Sequence, residues 1–517
     1  MVTIIVLCYN HRAVTLEFLH SLWAHTDYPF ELVVVDNAST DDSAEAVAAF
    51  LSEHRQHPAS LLRSSRNLGF AAGNNLGLRH AKGEHILFLN NDVLLCKEWL
   101  KGLVECFEHR AEVGAVGPVS NHVGGPQLVR ETKYGNDEEL QGFGAAVRSA
   151  FGGCYQECWR LVGFCLLTSR QRLDHVGAFD ERFGLGNYED TDLCLRLVRQ
   201  GYRNYFHRGV FVHHHGSRSF EHNRVDLDAW LLRNGRVFVR KWEPEAGRCP
   251  YTEQALDFAR RQEQLFEGRR TISGIALVRD EEPNLPELFD CLLPVVDEAV
   301  FGDTGSTDSS VELIRRAGAV VRPMTWADDF SAARNQLLQG LRGDWVFSLD
   351  ADERLSLTDQ ALLLSVANDP RVWERYEGVR MIQRNYTDDP SLYGYRPLTE
   401  TVPEARGRSG YLDIPVTRLF KRKPSISFKN RCNDNVEESI RLRGGLIGQV
   451  DLILHHHGLE RMLERFYFRM NLLTLERQRG HLAAARRHLE VAERLARADH
   501  ERELVAVSRR NLTERPM

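Results

Sequence analysis

The chain repeats itself once at long period, and this duplication restricts its possible folds more than any other feature. Residues 3–10 (Thr-Ile-Ile-Val-Leu-Cys-Tyr-Asn) form a short apolar run of β-branched type, followed by a helical stretch through Leu22. A second run, residues 31–36, ends at Asp36 and leads through the turn Asn37-Ala-Ser-Thr-Asp41 into another helix. Much later, residues 272–278 are again strand-like, and residues 299–303 end at Asp303 before Thr304-Gly-Ser-Thr-Asp308. Strand, Asp, small-polar turn and helix thus occur twice in the same order.

Each copy continues in parallel. The first has Arg66-Asn-Leu-Gly69, then residues 85–92, which close on Asn90-Asn91-Asp92. The second has Phe330-Ser-Ala-Ala-Arg334-Asn335, then residues 345–352, which close on Asp350-Ala351-Asp352. Both reach a carboxylate pair, Glu189-Asp190 and Glu437-Glu438. Both then finish on a strand with a histidine triplet and glycine, at 213–216 and 455–458.

Short apolar strands alternating with helices predict βαβ units and a mainly parallel sheet. The chain is therefore expected to be α/β, with two such domains in tandem. The expected boundaries are 1–243 and 271–458, with a polar, helix-prone linker at 244–270 and a helical segment at 459–517 rich in Ala and Arg. Ligands of such sheets bind at the carboxyl ends of strands. Asp36, Asp92, Asp303 and Asp352 all fall at such ends.

Composition bounds the partners. A net charge of −6, with 43% hydrophobic and 27% charged residues, describes an ordinary globular protein rather than a nucleic-acid binder with a basic face. The local cluster Lys421, Arg422 and Lys423 is read as solvated surface or a local phosphate contact. The first residues lack a basic leader and a cleavage site, so they are expected to form a buried strand rather than a signal peptide. No apolar run approaches the roughly 18 residues of a membrane span. The ten cysteines are scattered; Cys154 and Cys158 lack a second pair at zinc spacing, so free thiols and a reduced, cytoplasmic setting are expected.

The carboxylates suit a particular chemistry. A hard divalent cation, Mg²⁺ or Mn²⁺, takes oxygen ligands from one or two carboxylates plus phosphates, and acts as a Lewis acid for a departing diphosphate. Asp92 and Asp352 are placed for this, with His214 and His456 as neutral ligands completing the shell. Asp36 and Asp303 suit the base or ribose of a nucleotide, although an Asx-turn opening a helix explains them equally well in isolation. Glu189, Asp190 and Glu438 are candidate general bases, while carboxylates at a helix start are also favoured by the helix dipole.

These motifs resemble glycosyltransferase family 2, inverting enzymes of the GT-A fold, in both halves. The first copy is similar to rhamnosyltransferase-like members through Val6-Leu-Cys-Tyr-Asn10, the 35–41 and 66–75 segments, Leu89-Asn-Asn-Asp-Val93, Phe179-Asp-Glu-Arg-Phe183 and Tyr188-Glu-Asp-Thr-Asp-Leu193. The second resembles the branch of peptide S-glycosyltransferases, lipopolysaccharide core glucosyltransferases and enzymes fused to tetratricopeptide repeats. It does so through Arg279-Asp-Glu-Glu282, the 303–308 turn, residues 330–335, Asp350-Ala-Asp-Glu353 and Arg418-Leu-Phe420.

The resemblance implies two Rossmann-like GT-A domains using a nucleotide-diphosphate sugar, a UDP-sugar first among them. Asp36, Asn67, Asn91, Asp303, Arg334 and Asp350 would contact donor or nucleotide. Asp190 would be the base of the first copy, and Glu438 would inherit that role where the family shows His-Glu. Two active sites are expected to add sugars successively to a protein, peptide or glycan acceptor. Alternatives are assembly of lipopolysaccharide or capsule, one half retained as a scaffold, and a sugar-phosphate nucleotidyltransferase. The last would show a Gly-rich, basic first loop where this chain has Cys8-Tyr-Asn-His-Arg12. The segment from Leu459 resembles a degenerate tetratricopeptide unit whose helices would pair in a homodimer. Different acceptor walls are expected in the two copies: Phe151, Tyr155 and Trp159 in the first, Tyr386, Tyr393 and Tyr395 in the second.

Overall fold

The computed structural model describes the whole chain except residues 217–225, 267, 391, 393, 400–401, 431–434, 459–481, 497–501, 503–504, 507 and 510–517. The chain divides into two compact units, Met1–Glu267 and Gly268–Met517.

In the first unit the strands are β1 (Val2–Cys8), β2 (Phe30–Asp36), β3 (Ala59–Arg63), β4 (His85–Leu89), β5 (Val93–Leu95), β6 (Val113–Val119), β7 (Tyr155–Cys158), β8 (Cys165–Ser169) and β9 (Arg203–His214). They form one sheet in the order β3-β2-β1-β4-β8-β6-β9-β5, with β7 on β9. The run β3-β2-β1-β4 is parallel. Beyond it β8 lies antiparallel between β4 and β6, so this half of the sheet is mixed.

The second unit has β10 (Ile272–Val278), β11 (Glu298–Asp303), β12 (Val320–Pro323), β13 (Trp345–Ser348), β14 (Glu353–Leu355), β15 (Gly378–Thr387), β16 (Arg396–Pro397), β17 (Gly410–Lys421) and β18 (Ile447–His456). Their order, β12-β11-β10-β13-β17-β15-β18-β14, repeats that of the first unit strand for strand. The duplication read from the motifs is therefore a duplication of topology.

Parallel strands must be covered on both faces, because each crossover lays a helix on the sheet. β2 is buried at every position, and β1 at all but one. Alternation along β1 sends Ile4, Val6 and Cys8 into one core layer and Ile5 into the other.

The first unit takes in most of the segment expected as a linker. Helix Thr252–Gln264 buries Ala255, Leu256 and Ala259 against Val237, Phe238 and Trp242 of helix Leu227–Trp242. Of the expected C-terminal helical segment, helix Leu482–Leu495 is described. The stretch at 459–481, on which the tetratricopeptide and pairing expectations fall, lies outside the described residues.

Candidate active sites

The first loop of each unit holds its Ser-Thr turn in the same way. In the first unit Asn10 Oδ1 accepts the Thr40 amide at 2.7 Å, and the Asn10 amide donates to Ser39 Oγ at 2.8 Å. In the second, Asp280 Oδ1 accepts the Thr307 amide at 2.6 Å, and the Asp280 amide donates to Ser306 Oγ at 3.0 Å. Asn10 and Asp280 both adopt left-handed backbone, φ 56° and 52°. Neither was singled out from the sequence, although each stands at the same place between first strand and first helix.

Asp36 and Asp303 are buried where β2 and β11 end, and each accepts the amide three residues on rather than the i→i+2 bond of an Asx-turn. Asp36 Oδ1 accepts the Ser39 amide at 3.3 Å, and Asp303 Oδ1 accepts the Ser306 amide at 3.0 Å. Asn67 is exposed and caps the next helix, accepting the Gly69 amide at 2.8 Å and the Asn37 side chain at 2.9 Å. The Asn91 amide is tethered to Thr15 Oγ1 at 2.8 Å.

Strand pairing brings each last carboxylate to its histidine, because β5 runs beside β9 and β14 beside β18. His214 Nε2 lies 3.2 Å from Asp92 Oδ1, and His456 Nε2 lies 3.5 Å from Asp352 Oδ2. The far nitrogens are fixed too: His214 Nδ1 meets the His122 carbonyl at 2.8 Å, and His456 Nδ1 meets Asn385 Oδ1 at 2.7 Å. Burial works against ionisation of Asp92 and Asp352, but the facing imidazole outweighs it and lowers both carboxyls. Burial likewise works against charge on the histidines, and the carboxylates outweigh it and raise them.

The triplets match beyond these pairs. Tyr134 Oη meets His213 Nδ1 at 2.7 Å, and Tyr386 Oη meets His455 Nδ1 at the same distance. The glycine after each triplet is required by close approach. A Cβ on Gly458 would fall 1.9 Å from Asp352 Oδ2, and one on Gly216 would fall 2.1 Å from the His122 ring.

Asn90 and Asp350 occupy equivalent places in different surroundings. The Asn90 amide lies 3.5 Å from His214 Nε2. Asp350 is gripped by Arg334 at 2.5 Å through Oδ1 and by Arg418 at 2.6 Å through Oδ2. Burial opposes its charge, and the two guanidiniums overcome that and hold it far below the usual carboxylate range. The additional carboxylate of the second unit thus comes with its own counter-charges.

Whether these residues suit a cation is decided by their oxygens. Asp92 Oδ1 is buried and has no hydrogen-bond donor among the described residues, since His214 stands at ion-pair distance without hydrogen-bond geometry. No group of three or more His, Cys, Asp or Glu forms a complete cation site among the described residues. Asp92 with His214, and Asp352 with His456, fit a hard cation whose remaining ligands are phosphate oxygens and water.

In the first unit Glu189 and Asp190 open helix Glu189–Arg199, and both are buried. Asp190 Oδ2 accepts the Gly163 amide at 2.8 Å, and Oδ1 accepts the Thr191 amide at 2.6 Å. Glu189 differs: burial first, then the neighbouring Asp190 charge, raise its carboxyl well above the ordinary range. Its Oε2 has no partner among the described residues.

The second unit is arranged otherwise. Glu437 is clamped by Arg380 at 3.0 and 2.5 Å, by Thr417 Oγ1 at 2.7 Å and by Arg441 at 2.8 Å. Glu438 is exposed on helix Glu437–Arg441, and its carboxylate makes no hydrogen bond or ion pair among the described residues.

Of the aromatic residues expected at acceptor walls, Tyr155 packs on His207 and Phe151 lies beneath Arg208, while Trp159 stands on the segment leading to Gly163. Tyr386 is committed to His455, Tyr395 bonds Ser409, and Tyr393 lies outside the described residues. Lys421 and Lys423 both pair with Glu377; Lys421 is buried over the Trp373 ring rather than solvated, and Arg422 bonds the Gly343 carbonyl. The described cysteines are free thiols, Cys158 buried and Cys154 exposed.

The two sheets share one strand order, and each carries a carboxylate–histidine pair at the same place in it. Residues 3–154 and 275–425, more than half of the chain, match the model of the family described as glycosyl transferase family 2. The chain belongs to that family, with one copy in each half, and is by class a glycosyltransferase.

Over 169 residues it is 32% identical to a TPR repeat-containing protein of Synechococcus elongatus, covering 33% of this chain and 36% of that protein. Over 224 residues it is 32% identical to the O-antigen biosynthesis protein RfbC of Myxococcus xanthus, covering 41% and 17%. A solved mannosyltransferase of Pyrobaculum calidifontis, in complex with GDP-Man and Mn²⁺, aligns at 23% identity with TM-score 0.37, covering 51% of this chain and 70% of that one. The chain spans roughly a third or less of the length of these curated relatives. No described helix is long and apolar enough to cross a membrane.

Proposed function

We propose that both halves bind a nucleotide-diphosphate sugar with a divalent cation, and that the first half transfers the sugar with inversion using Asp190 as base. The observation that carries this reading is the matched pair Asp92–His214 and Asp352–His456, built on the same strand pairing in each unit. Asp92, His214, Asp352 and His456 would hold Mn²⁺ or Mg²⁺, which when bound polarises the diphosphate leaving group. Asp36 and Asp303 keep their second carboxylate oxygen for the nucleoside, and Asn91, Asn67, Arg334 and Asp350 shape the wall around the diphosphate. A UDP-sugar is the first donor to try. Asp190, held in place by the Gly163 and Thr191 amides, would take the proton of the acceptor hydroxyl, while Glu189, whose carboxyl burial raises, would donate.

For the second half, Glu438 is the base candidate, since Glu437 is spent on Arg380, Thr417 and Arg441. The exposure of Glu438 also favours a second reading for this half alone, a module that binds donor without transferring it. Similarity to an O-antigen protein and a TPR-repeat protein supports a glycan or a protein as acceptor. Mass spectrometry of acceptor glycans and peptides after reaction with wild type, Asp190→Asn and Glu438→Gln tests this. Loss of different transfer steps supports two catalysts. An unchanged product pattern in Glu438→Gln assigns the second half to binding, and an unchanged pattern in Asp190→Asn overturns the proposal.

A further inference from the structure

The segment at 159–164 crosses the face of the first unit and touches both parts of its site. The Gly163 amide donates to Asp190 at 2.8 Å, and the Phe164 ring stacks on His214 at 5.0 Å between centroids. The Phe164 carbonyl accepts the Asn90 amide at 2.9 Å, and the Val162 amide donates to Gln127 at 2.9 Å. At the start of this segment stands Arg160.

The half-buried Arg160 guanidinium lies 4.4 Å from the ring centre of Phe258 and 5.7 Å from that of Trp159. Beside it passes the backbone of Gly124, where a Cβ would come within 3.1 Å of Nη2. That glycine follows His122, whose carbonyl fixes the imidazole of His214. Arg160 therefore sits between the loop that orients His214 and the segment that orients Asp190.

Arg196, Arg380 and Arg418, all half-buried or buried, are each paired with a carboxylate. Arg160 makes no ion pair or side-chain hydrogen bond among the described residues. Stacking on aromatic faces steadies a guanidinium plane and leaves its N–H donors free in that plane. Such a fork matches a phosphate or carboxylate by two parallel hydrogen bonds.

We propose that Arg160 anchors an anion subsite on the acceptor side of the first unit, and that the acceptor carries a phosphate or carboxylate. Arg160 stands three positions before Gly163, whose amide bonds Asp190, so the subsite and the base share one short segment. This rests on the reading of Asp190 as base and adds a charge requirement for the acceptor.

The test titrates the full-length chain with sn-glycerol 3-phosphate, glycerate and glycerol, each with and without UDP and Mn²⁺. Wild type is expected to bind both anions at least tenfold more tightly than glycerol, and the tighter of the two identifies phosphate or carboxylate. Arg160→Gln should lose at least tenfold for the anions, and Arg160→Lys, which keeps the charge, should fall between. UDP affinity should stay within twofold in both variants. Equal binding of glycerol and the anions, unchanged anion binding in Arg160→Gln, or a loss of UDP affinity in that variant would overturn the subsite. If UDP with Mn²⁺ fails to bind wild type, the donor reading falls, while the anion titrations without nucleotide still decide on Arg160.

Discussion

The side-chain amide of Asn234 donates to the carbonyl of Gly186 at 2.8 Å, just before the chain reaches Glu189 and Asp190. The same amide meets the carbonyls of Phe183 at 2.8 Å and Asn187 at 2.9 Å, and Trp230 Nε1 adds a bond to Gly186 at 2.7 Å. The loop needs this support. Gly184 and Gly186 take positive φ freely, but Asn187 and Tyr188 also have positive φ, 72° and 77°, and for side-chain-bearing residues such backbone persists only where its surroundings impose it. From the other side Gly69 leaves room for the Gly184 carbonyl, which a Cβ there would meet at 2.3 Å.

Asn234→Ala should therefore do more than destabilise. Orphaning buried carbonyls costs about 1–3 kcal/mol, and the first unit should melt a few degrees lower. Turnover by the first half should fall at least tenfold, with KM for the donor nearly unchanged, because the loop carries the base. Steady-state kinetics beside a melting curve separate the two effects. A drop in melting temperature with kcat intact would reduce Asn234 to a structural residue.

Glu189→Gln should stabilise the protein above neutral pH. The folded-state carboxyl is raised by burial, so its favourable contribution is complete below the unfolded value of about 4.3 and is lost as pH rises through the folded value. The amide escapes that loss. Melting temperatures of the two proteins should converge near pH 4 and separate in favour of the variant at pH 8. Parallel curves across that range would mean that Glu189 is not held neutral.

Much of this architecture is legible in the sequence, because strand ends and turns are local features. Asp36, Asp92, Asp303 and Asp352 close short β-branched runs, and the histidine triplets close the strands that run beside Asp92 and Asp352. What is not legible depends on distant partners. Asn234 reads as one polar position of an ordinary amphipathic helix, and only packing shows that it holds the loop before Glu189. Glu437 and Glu438 look interchangeable until β15 and β17 bring Arg380 and Thr417 to the first of them. Arg334 and Arg418 likewise meet on Asp350 only through the order of the sheet.

Glu437→Gln should cost stability without removing chemistry. Burial opposes its charge, but Arg380 and Thr417 lower its carboxyl, so its contribution is present above the unfolded value and fades as pH falls through the folded one. The variant should melt lower at pH 7, by an amount that shrinks in acid, with the second half's donor binding retained. Loss of donor binding at unchanged stability would place Glu437 in the site instead.

His456→Ala should weaken cation-dependent nucleotide binding by at least about tenfold, since losing even an outer-shell partner of a ligand usually costs about 10–100-fold. Asn385→Ala, which frees the other ring nitrogen, should act in the same direction and more weakly. Calorimetry of Mn²⁺ with nucleotide reads both. Wild-type affinity in His456→Ala would remove the histidine from the cation shell.

The central claim is that each unit carries its own cation-dependent nucleotide site. It is tested most directly by calorimetric titration of the full-length chain, with Mn²⁺, using the best bound of UDP, GDP and dTDP. The account predicts two sites in wild type, one in Asp92→Ala, one in Asp352→Ala and none in excess chelator. Full binding in chelator, or both sites retained in either variant, would contradict it.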